Sequence, residues 1–173
     1  MLEGIIRLLE WIFEIGKDYI SPFCVLPEYQ GGVLMRMGKY KKNLSHGINW
    51  KIPLVDAIHT VITTADTFHI ANVNVTTIDT KTINVGAVIE FEIVDVKKYL
   101  IDMNDADSNA HDIARGVIAD YITDCTWEEI KDKKTQTKIK NKLKAELAIL
   151  GINVKSLLIA DIAITKTFTL IKE

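Results

Sequence analysis

The fold is decided by the run Thr82-Ile-Asn-Val-Gly-Ala-Val-Ile-Glu-Phe-Glu-Ile-Val94 near the middle of the chain. Apolar residues recur at every second position, and the residues between them are mostly polar or small. This two-residue period is typical of a β-strand with one face in a hydrophobic core and the other facing water. The apolar face consists of Ile83, Val85, Ala87, Ile89, Phe91 and Ile93.

The segments after this strand have a helical period. A stripe of apolar residues runs from Ala110 to Cys125, and a second helix is expected over about 133–150 with Gly151 at its C-terminal end. Thr126-Trp-Glu-Glu129 has the spacing of a capping box, and Asp95 is placed to cap a short helix over 96–103. A last strand is expected over 153–164. Between the short helix that ends at residue 103 and the stripe that starts at Ala110, we expect a polar break over 104–109, with Asp107 and Ser108 as candidate capping residues.

The segments before the strand are rich in β-forming residues. Strands are expected over 23–26, 33–37, 48–52, 57–64 and 67–76, with a turn at Gly31-Gly32 and a polar loop from Gly38 to Ser45. Strands therefore come first and helices second, followed by one closing strand, and this order indicates an α+β fold. We divide the chain into an amphipathic helix (1–22), one domain (23–164) and a tail (165–173).

The first twenty residues form a separate pattern. Charged residues recur every three or four positions opposite a broad apolar face, which predicts an amphipathic helix. A bilayer surface, a sister subunit or the domain core could cover that face. Six charges disfavour a spanning helix, since each costs about 2.5–3.5 kcal/mol near the bilayer centre, so we favour a helix lying in the membrane interface. The predicted membrane contacts are Leu2, Ile5, Ile6, Leu9, Trp11, Ile12, Phe13 and Ile20.

Composition and motifs argue against catalysis and nucleic-acid binding. The formal net charge is −2, and the two cysteines and four histidines have no metal-site spacing. No phosphate-binding loop, dinucleotide fingerprint or nucleophile motif is present in the sequence. We therefore predict no catalytic residue, no cofactor, no metal site and no nucleic-acid partner.

The helix over 131–144 contains seven lysines and presents a basic surface. Lys134, Lys138 and Lys142 are candidates for contacts with lipid headgroups or with a second subunit. The alternative is a solvated helix face opposite the buried Ile139 and Leu143, which needs no partner.

Several motifs, taken in order, resemble the stomatin/prohibitin/flotillin (SPFH, or Band 7) domain. They begin with Val25-Leu-Pro-Glu-Tyr-Gln-Gly-Gly-Val33, Arg36-Met-Gly-Lys-Tyr40 and Gly47-Ile-Asn-Trp-Lys-Ile-Pro-Leu-Val-Asp56. Thr77-Ile-Asp79, Gly151-Ile-Asn-Val154 and Ile159-Ala-Asp-Ile162 follow. The resemblance covers about residues 24–164. It implies a non-enzymatic membrane scaffold that assembles into rings or cages and regulates membrane proteins such as membrane-bound proteases and channels.

The sequence departs from that family pattern at its C-terminal end, where Glu173 stands in place of a long coiled coil. We interpret the chain as either a trimmed piece or a minimal member that assembles through its domain alone, located at an inner or cytoplasmic membrane or a host-cell membrane. Our first hypothesis is a homo-oligomeric membrane scaffold whose copies meet along the β-rich half and the lysine-rich helix. The others are a soluble adaptor that binds a partner protein through the N-terminal helix and an undetected hydrolase.

Overall fold

The computed structural model describes residues 6–7, 21–130 and 132–165, apart from the side chain of Asn72. Within it the chain forms two compact units, residues 1–63 and residues 64–173. Both lie partly within the span 23–164 that the sequence predicts as one domain, and that domain assignment stays a prediction. Most of the predicted amphipathic helix lies outside the described residues. Its Ile6 and Arg7 are helical and exposed.

The described residues of the first unit form two small antiparallel sheets. Strand β1 (Phe23–Leu26) pairs with β4 (Gly47–Trp50), and β2 (Gln30–Arg36) lies between β3 (Lys39–Leu44) and β5 (Asp56–Ile62). The unit is organised around a cluster of three leucines, which bury their side chains against Cys24 and Ile58. These leucines are Leu26, Leu34 and Leu44.

Two expectations for this unit are wrong. Gly31 and Gly32 lie inside β2 and do not form a turn. A Cβ atom at Gly32 would lie 2.9 Å from Cδ2 of Leu26, so the glycine here allows a close approach to a core side chain. The polar run from residue 39 is strand β3, because an edge strand can keep its lysines in water while its backbone pairs with β2.

The second unit contains a three-stranded antiparallel sheet in the order β6 (Asp66–Thr76), β7 (Thr82–Ile93), β8 (Ile152–Ile164). The predicted alternation of the central strand is confirmed, since all six apolar residues of its predicted core face are buried. Polar side chains on its other face form hydrogen bonds with polar side chains of β8. Glu90 accepts a hydrogen bond from Ser156 (2.9 Å), and Glu92 accepts one from Asn153 (2.8 Å).

Helices α1 (Ala106–Thr123) and α3 (Lys133–Leu147) pack against β6 and β8 respectively and against each other, with the short helix α2 (Trp127–Ile130) between them. The predicted inward residues of the last helix are all fully buried, and a 3₁₀ turn, Ala148–Leu150, extends it. They are Ile139, Leu143, Leu147 and Leu150.

Polar side chains stabilise the starts of these helices. The Glu129 half of the capping box is confirmed, because its carboxylate accepts hydrogen bonds from the backbone and hydroxyl of Thr126, both at 2.9 Å. Asp95 accepts from the amides of Lys97 and Lys98 at the start of a short π-helical segment, Lys98–Asp102, as expected.

The predicted break over 104–109 is wrong, since α1 already begins at Ala106. Asp105, not Asp107 or Ser108, caps α1, accepting from the Ser108 amide at 3.3 Å. The sequence pattern placed the start of this helix too late. The first turns of α1 bury Ala106 and Ala110, and alanine contributes little to an apolar stripe.

Two glycines provide a matched test of this fold. Gly151 has a φ of +79°, and a Cβ atom there would lie 2.5 Å from the Asp95 carbonyl oxygen, whereas Gly116 on α1 has nothing within 4 Å of such an atom. Gly151→Ala should destabilise the protein by more than about 1 kcal/mol, and Gly116→Ala should stabilise it by about 0.5–1 kcal/mol. Urea unfolding of both variants measures this, and equal effects would contradict the assigned backbone at Gly151.

Candidate membrane-contact surface

The two-stranded ribbon of β1 and β4 has an apolar face in water. Cross-strand partners lie on the same face of an antiparallel pair, and the register pairs Phe23 with Trp50 and Val25 with Ile48. These four side chains are 51%, 60%, 69% and 76% exposed, in that order. The two aromatic rings meet edge to face with centroids 4.9 Å apart.

The opposite face of the same ribbon is part of the core. Leu26 is buried in the leucine cluster, and Cys24 packs against it. Scattered exposed apolar side chains are normal, but a contiguous apolar patch marks an interaction surface. Among the described residues of the first unit, the face with Leu26 and Cys24 is covered, and the face with Phe23 and Trp50 is exposed.

Two further exposed apolar residues follow the end of β4 in the chain. Ile52 is 40% exposed, and Leu54 is 89% exposed in the loop that leads to β5. The backbone amide of Lys51 donates to the Pro22 carbonyl at 2.8 Å, which extends the ribbon beyond its last strand pair.

An ion pair between a buried carboxylate and a partly exposed guanidinium holds this loop in place. The Asp56 side chain is 1% exposed and accepts two hydrogen bonds from the Arg36 guanidinium, at 2.7 and 3.0 Å. The Ile52 amide donates to the same carboxylate at 2.8 Å. The Arg36 hydrogen bonds, followed by that of Ile52, lower the pKa of Asp56 to about 2. The loop is thus tied to both β2 and β5.

Of the membrane contacts predicted from the sequence, only Ile6 is described, and it is 49% exposed. The others lie outside the described residues and stay predictions. They are Leu2, Ile5, Leu9, Trp11, Ile12, Phe13 and Ile20.

Sequence reasoning missed the ribbon. The signal was the alternation of apolar and polar residues from Ile48 to Ile52, which predicted a strand there. Alternation shows that one face is apolar but not whether anything covers it.

The predicted lysine contacts are all exposed on α3, but they face acidic neighbours. Lys142 forms an ion pair with Asp120 of α1. Lys134 and Lys138 border a cleft of about 380 Å³ whose rim also includes Glu129 and Asp132. Acidic side chains of the same unit therefore offset part of this basic charge, and a role for these lysines in headgroup or subunit contact stays a prediction.

The same cleft includes Cys125, the more buried of the two cysteines. Burial raises the pKa of the Cys125 thiol, and the nearby Glu129 and Asp124 carboxylates raise it further, which keeps the thiol protonated and weakly nucleophilic. In the part of the chain that the structure describes, no group of three or more His, Cys, Asp or Glu side chains could hold a metal ion. None of the helices in those residues combines the length and the apolar character needed to cross a bilayer.

Comparison with known proteins identifies the family. The model of the SPFH domain / Band 7 family matches residues 24–170, nearly the whole chain. The chain belongs to this family. The resemblance predicted from the motifs is thus confirmed, together with the α+β fold that it implies.

Individual relatives are distant. Protein HflK of Vibrio parahaemolyticus is 30% identical over 125 residues, which is 70% of this chain and 30% of HflK. Modulator of FtsH protease HflK of Escherichia coli is 30% identical over 108 residues, or 60% of this chain and 26% of that protein. An uncharacterized protein of Methanocaldococcus jannaschii is 22% identical over 145 residues, covering 83% of this chain and 73% of its own length. The chain spans less than a third of the HflK proteins it matches.

The Asp56 ion pair makes stability depend on pH. The pKa of Asp56 falls from an ordinary 3.8 to about 2 in the folded protein, so its contribution is complete above pH 3.8 and is lost as the pH falls towards 2. Asp56→Asn should therefore be less stable than the unchanged protein at neutral pH, with a difference that shrinks between about pH 4 and pH 2.

Urea unfolding across that range measures this difference. Asp112→Asn, at an exposed position of α1, is the control and should lie within about 0.5 kcal/mol of the unchanged protein at neutral pH. A stability gap for Asp56→Asn that stays constant down to pH 2 would show that the carboxylate charge is not what holds the loop.

Proposed function

We propose that this protein is a non-enzymatic, membrane-associated scaffold that oligomerises on a membrane and organises or regulates membrane proteins. The observation that carries the proposal is the exposed apolar face of the β1–β4 ribbon. Membership of the SPFH family and the relation to HflK support it.

The position of the ribbon in the chain supports membrane contact. Phe23 follows the predicted amphipathic segment 1–22 almost directly, so lipid bound by that segment would lie close to the ribbon. Full burial of one large apolar side chain contributes about 1.5–3 kcal/mol. Four such side chains on one face provide substantial binding energy, and Trp50 belongs to the residue type enriched at membrane interfaces.

The regulatory part of the proposal rests on the relatives. The Escherichia coli relative is named as a modulator of the FtsH protease. We infer that this chain likewise acts on a membrane protein, such as a membrane protease or channel, by assembling beside it. The contacts between copies are expected to involve the β-rich unit and the exposed lysines Lys134 and Lys138.

The ribbon gives a direct test of membrane contact. Phe23→Ser/Trp50→Ser should reduce flotation with vesicles of phosphatidylcholine and phosphatidylglycerol by roughly tenfold or more, because two large apolar side chains leave the lipid interface. The matched control is Ile149→Ser/Leu158→Ser, which changes two side chains of the second unit that are 65% and 60% exposed.

Removal of residues 1–20 is the companion variant and should weaken flotation through loss of the predicted amphipathic helix. Equal flotation of the ribbon variant and its control would refute contact by the ribbon. Absence of flotation by the unchanged protein would refute membrane association itself.

The second candidate function is a soluble adaptor that binds a partner through the apolar face of segment 1–20. Particle size separates it from the scaffold. The scaffold should form large rings or cages on vesicles, visible by electron microscopy and by sizing after detergent extraction. The adaptor should remain a small particle with and without lipid, and a lone monomer in both conditions would contradict the scaffold.

A further inference from the structure

The turn between β2 and β3 has an unusual residue at its tip. Arg36 pairs with Lys39, so Met37 and Gly38 alone form the turn, and both have positive φ values, +50° and +78°. A two-residue hairpin turn with two positive φ values favours Asn or Asp followed by Gly. Here the first position is Met37, and its side chain is 83% exposed.

A second apolar residue shares these features. Leu54, in the loop between β4 and β5, has a φ of +66° and is 89% exposed. The Met37 amide donates to the Val55 carbonyl at 3.0 Å, which holds the two turns together. We call Met37, Leu54 and Val55 the apolar tip. Backbone conformations that are unfavourable for large side chains cluster at functional sites. Met37 and Leu54 both have such a conformation, and their turns are joined here.

The apolar tip is held rigidly by groups already described. The Val55 and Asp56 amides donate to the Ile52 carbonyl at 3.3 and 3.0 Å, and the Asp56 carboxylate closes the loop through the Ile52 amide. Arg36, which pairs with Asp56, immediately precedes Met37. A tip fixed in this way displays its side chains without a large ordering cost on binding.

The part of the chain that carries the apolar tip is rich in basic residues. Residues 21–63 contain five lysines and arginines but only two acidic residues, Glu28 and Asp56, although the whole chain has a net charge of −2. Asp56 is neutralised by Arg36, and the Lys41 charge is close enough to contribute to lowering the Asp56 pKa. Lys39 flanks the turn, and Lys42 and Lys51 lie on the adjoining segments.

We propose that the apolar tip inserts into a membrane surface and that Lys39, Lys41 and Lys42 select anionic phospholipid headgroups. Apolar side chains at rigid turns combined with basic residues in the same part of the chain fit a bilayer that is apolar inside and negative at its surface. This inference rests on the proposed membrane association and adds a lipid preference. It places headgroup contact on β3, whereas the sequence pointed to the lysines of α3.

The turn chemistry provides a variant that should keep its fold. Met37→Asn/Leu54→Asn introduces residues that tolerate positive φ, so its unfolding midpoint in urea should be unchanged or higher. Its binding to vesicles of phosphatidylcholine and phosphatidylglycerol should nevertheless fall about tenfold. Ile149→Asn, also at an exposed apolar residue, is the control and should bind as the unchanged protein does.

A second pair of variants tests the lipid preference. Lys39→Gln/Lys41→Gln/Lys42→Gln should remove most of the difference in binding between anionic vesicles and vesicles of phosphatidylcholine alone, a loss of about tenfold or more. The matched control, Lys133→Gln/Lys140→Gln/Lys144→Gln on α3, should retain that difference. The preference for anionic vesicles should also decrease in high salt.

The outcomes separate this inference from the proposed function. Vesicle binding that is strong but insensitive to the tip and β3 variants would overturn the inference and leave membrane association in place. Loss of anionic preference in the α3 variant alone would assign headgroup contact to that helix and would also overturn it. If the unchanged protein binds no vesicle of either composition, the proposed membrane association is refuted, and the inference that rests on it is refuted as well.

Discussion

The structure depends on how each apolar strand face is covered. In the second unit, helices α1 and α3 cover one face of the β6–β7–β8 sheet, and the alternating residues of β7 are buried beneath them. Between residues 21 and 63 the chain forms only strands and turns, and it covers one face of the β1–β4 ribbon with its own leucines. The other ribbon face, which carries Phe23 and Trp50, is exposed among the described residues, and the proposed membrane contact follows from that difference.

A second constraint is the buried carboxylate of Asp56 in the first unit. Asp56 joins β2 and β5 through Arg36 and fixes the loop that displays Leu54. Removing Arg36 would be costly because it would leave this buried carboxylate without its charged partner. The same interaction therefore contributes to the stability of the unit and to the display of its exposed apolar residues, which connects the fold to the proposed lipid contact.

Local patterns predicted much of the fold. The period of β7, the inward stripe of α3, the capping box at Thr126 and the terminating Gly151 were all visible in the sequence, since each depends on neighbouring residues along the chain. The predictions from sequence failed where contacts between residues far apart in the chain determine the local structure. Gly32 lies in a strand because Leu26 approaches it closely, and the run of lysines after Gly38 forms β3 because β2 supplies its hydrogen-bond partners. Ala106 begins α1 although alanine contributes little to an apolar stripe.

The sequence by itself determined the α+β order, the family and the amphipathic character of the first twenty residues, because periodicity and motif order are properties of a linear chain. Only the tertiary structure decided which apolar faces stay open. Phe23 and Trp50 are 27 positions apart and form one surface only through strand pairing. Met37 and Leu54 likewise form one tip only because a hydrogen bond from Met37 to Val55 joins two separate turns. Such surfaces depend on register and backbone hydrogen bonding between distant segments, which no local pattern specifies.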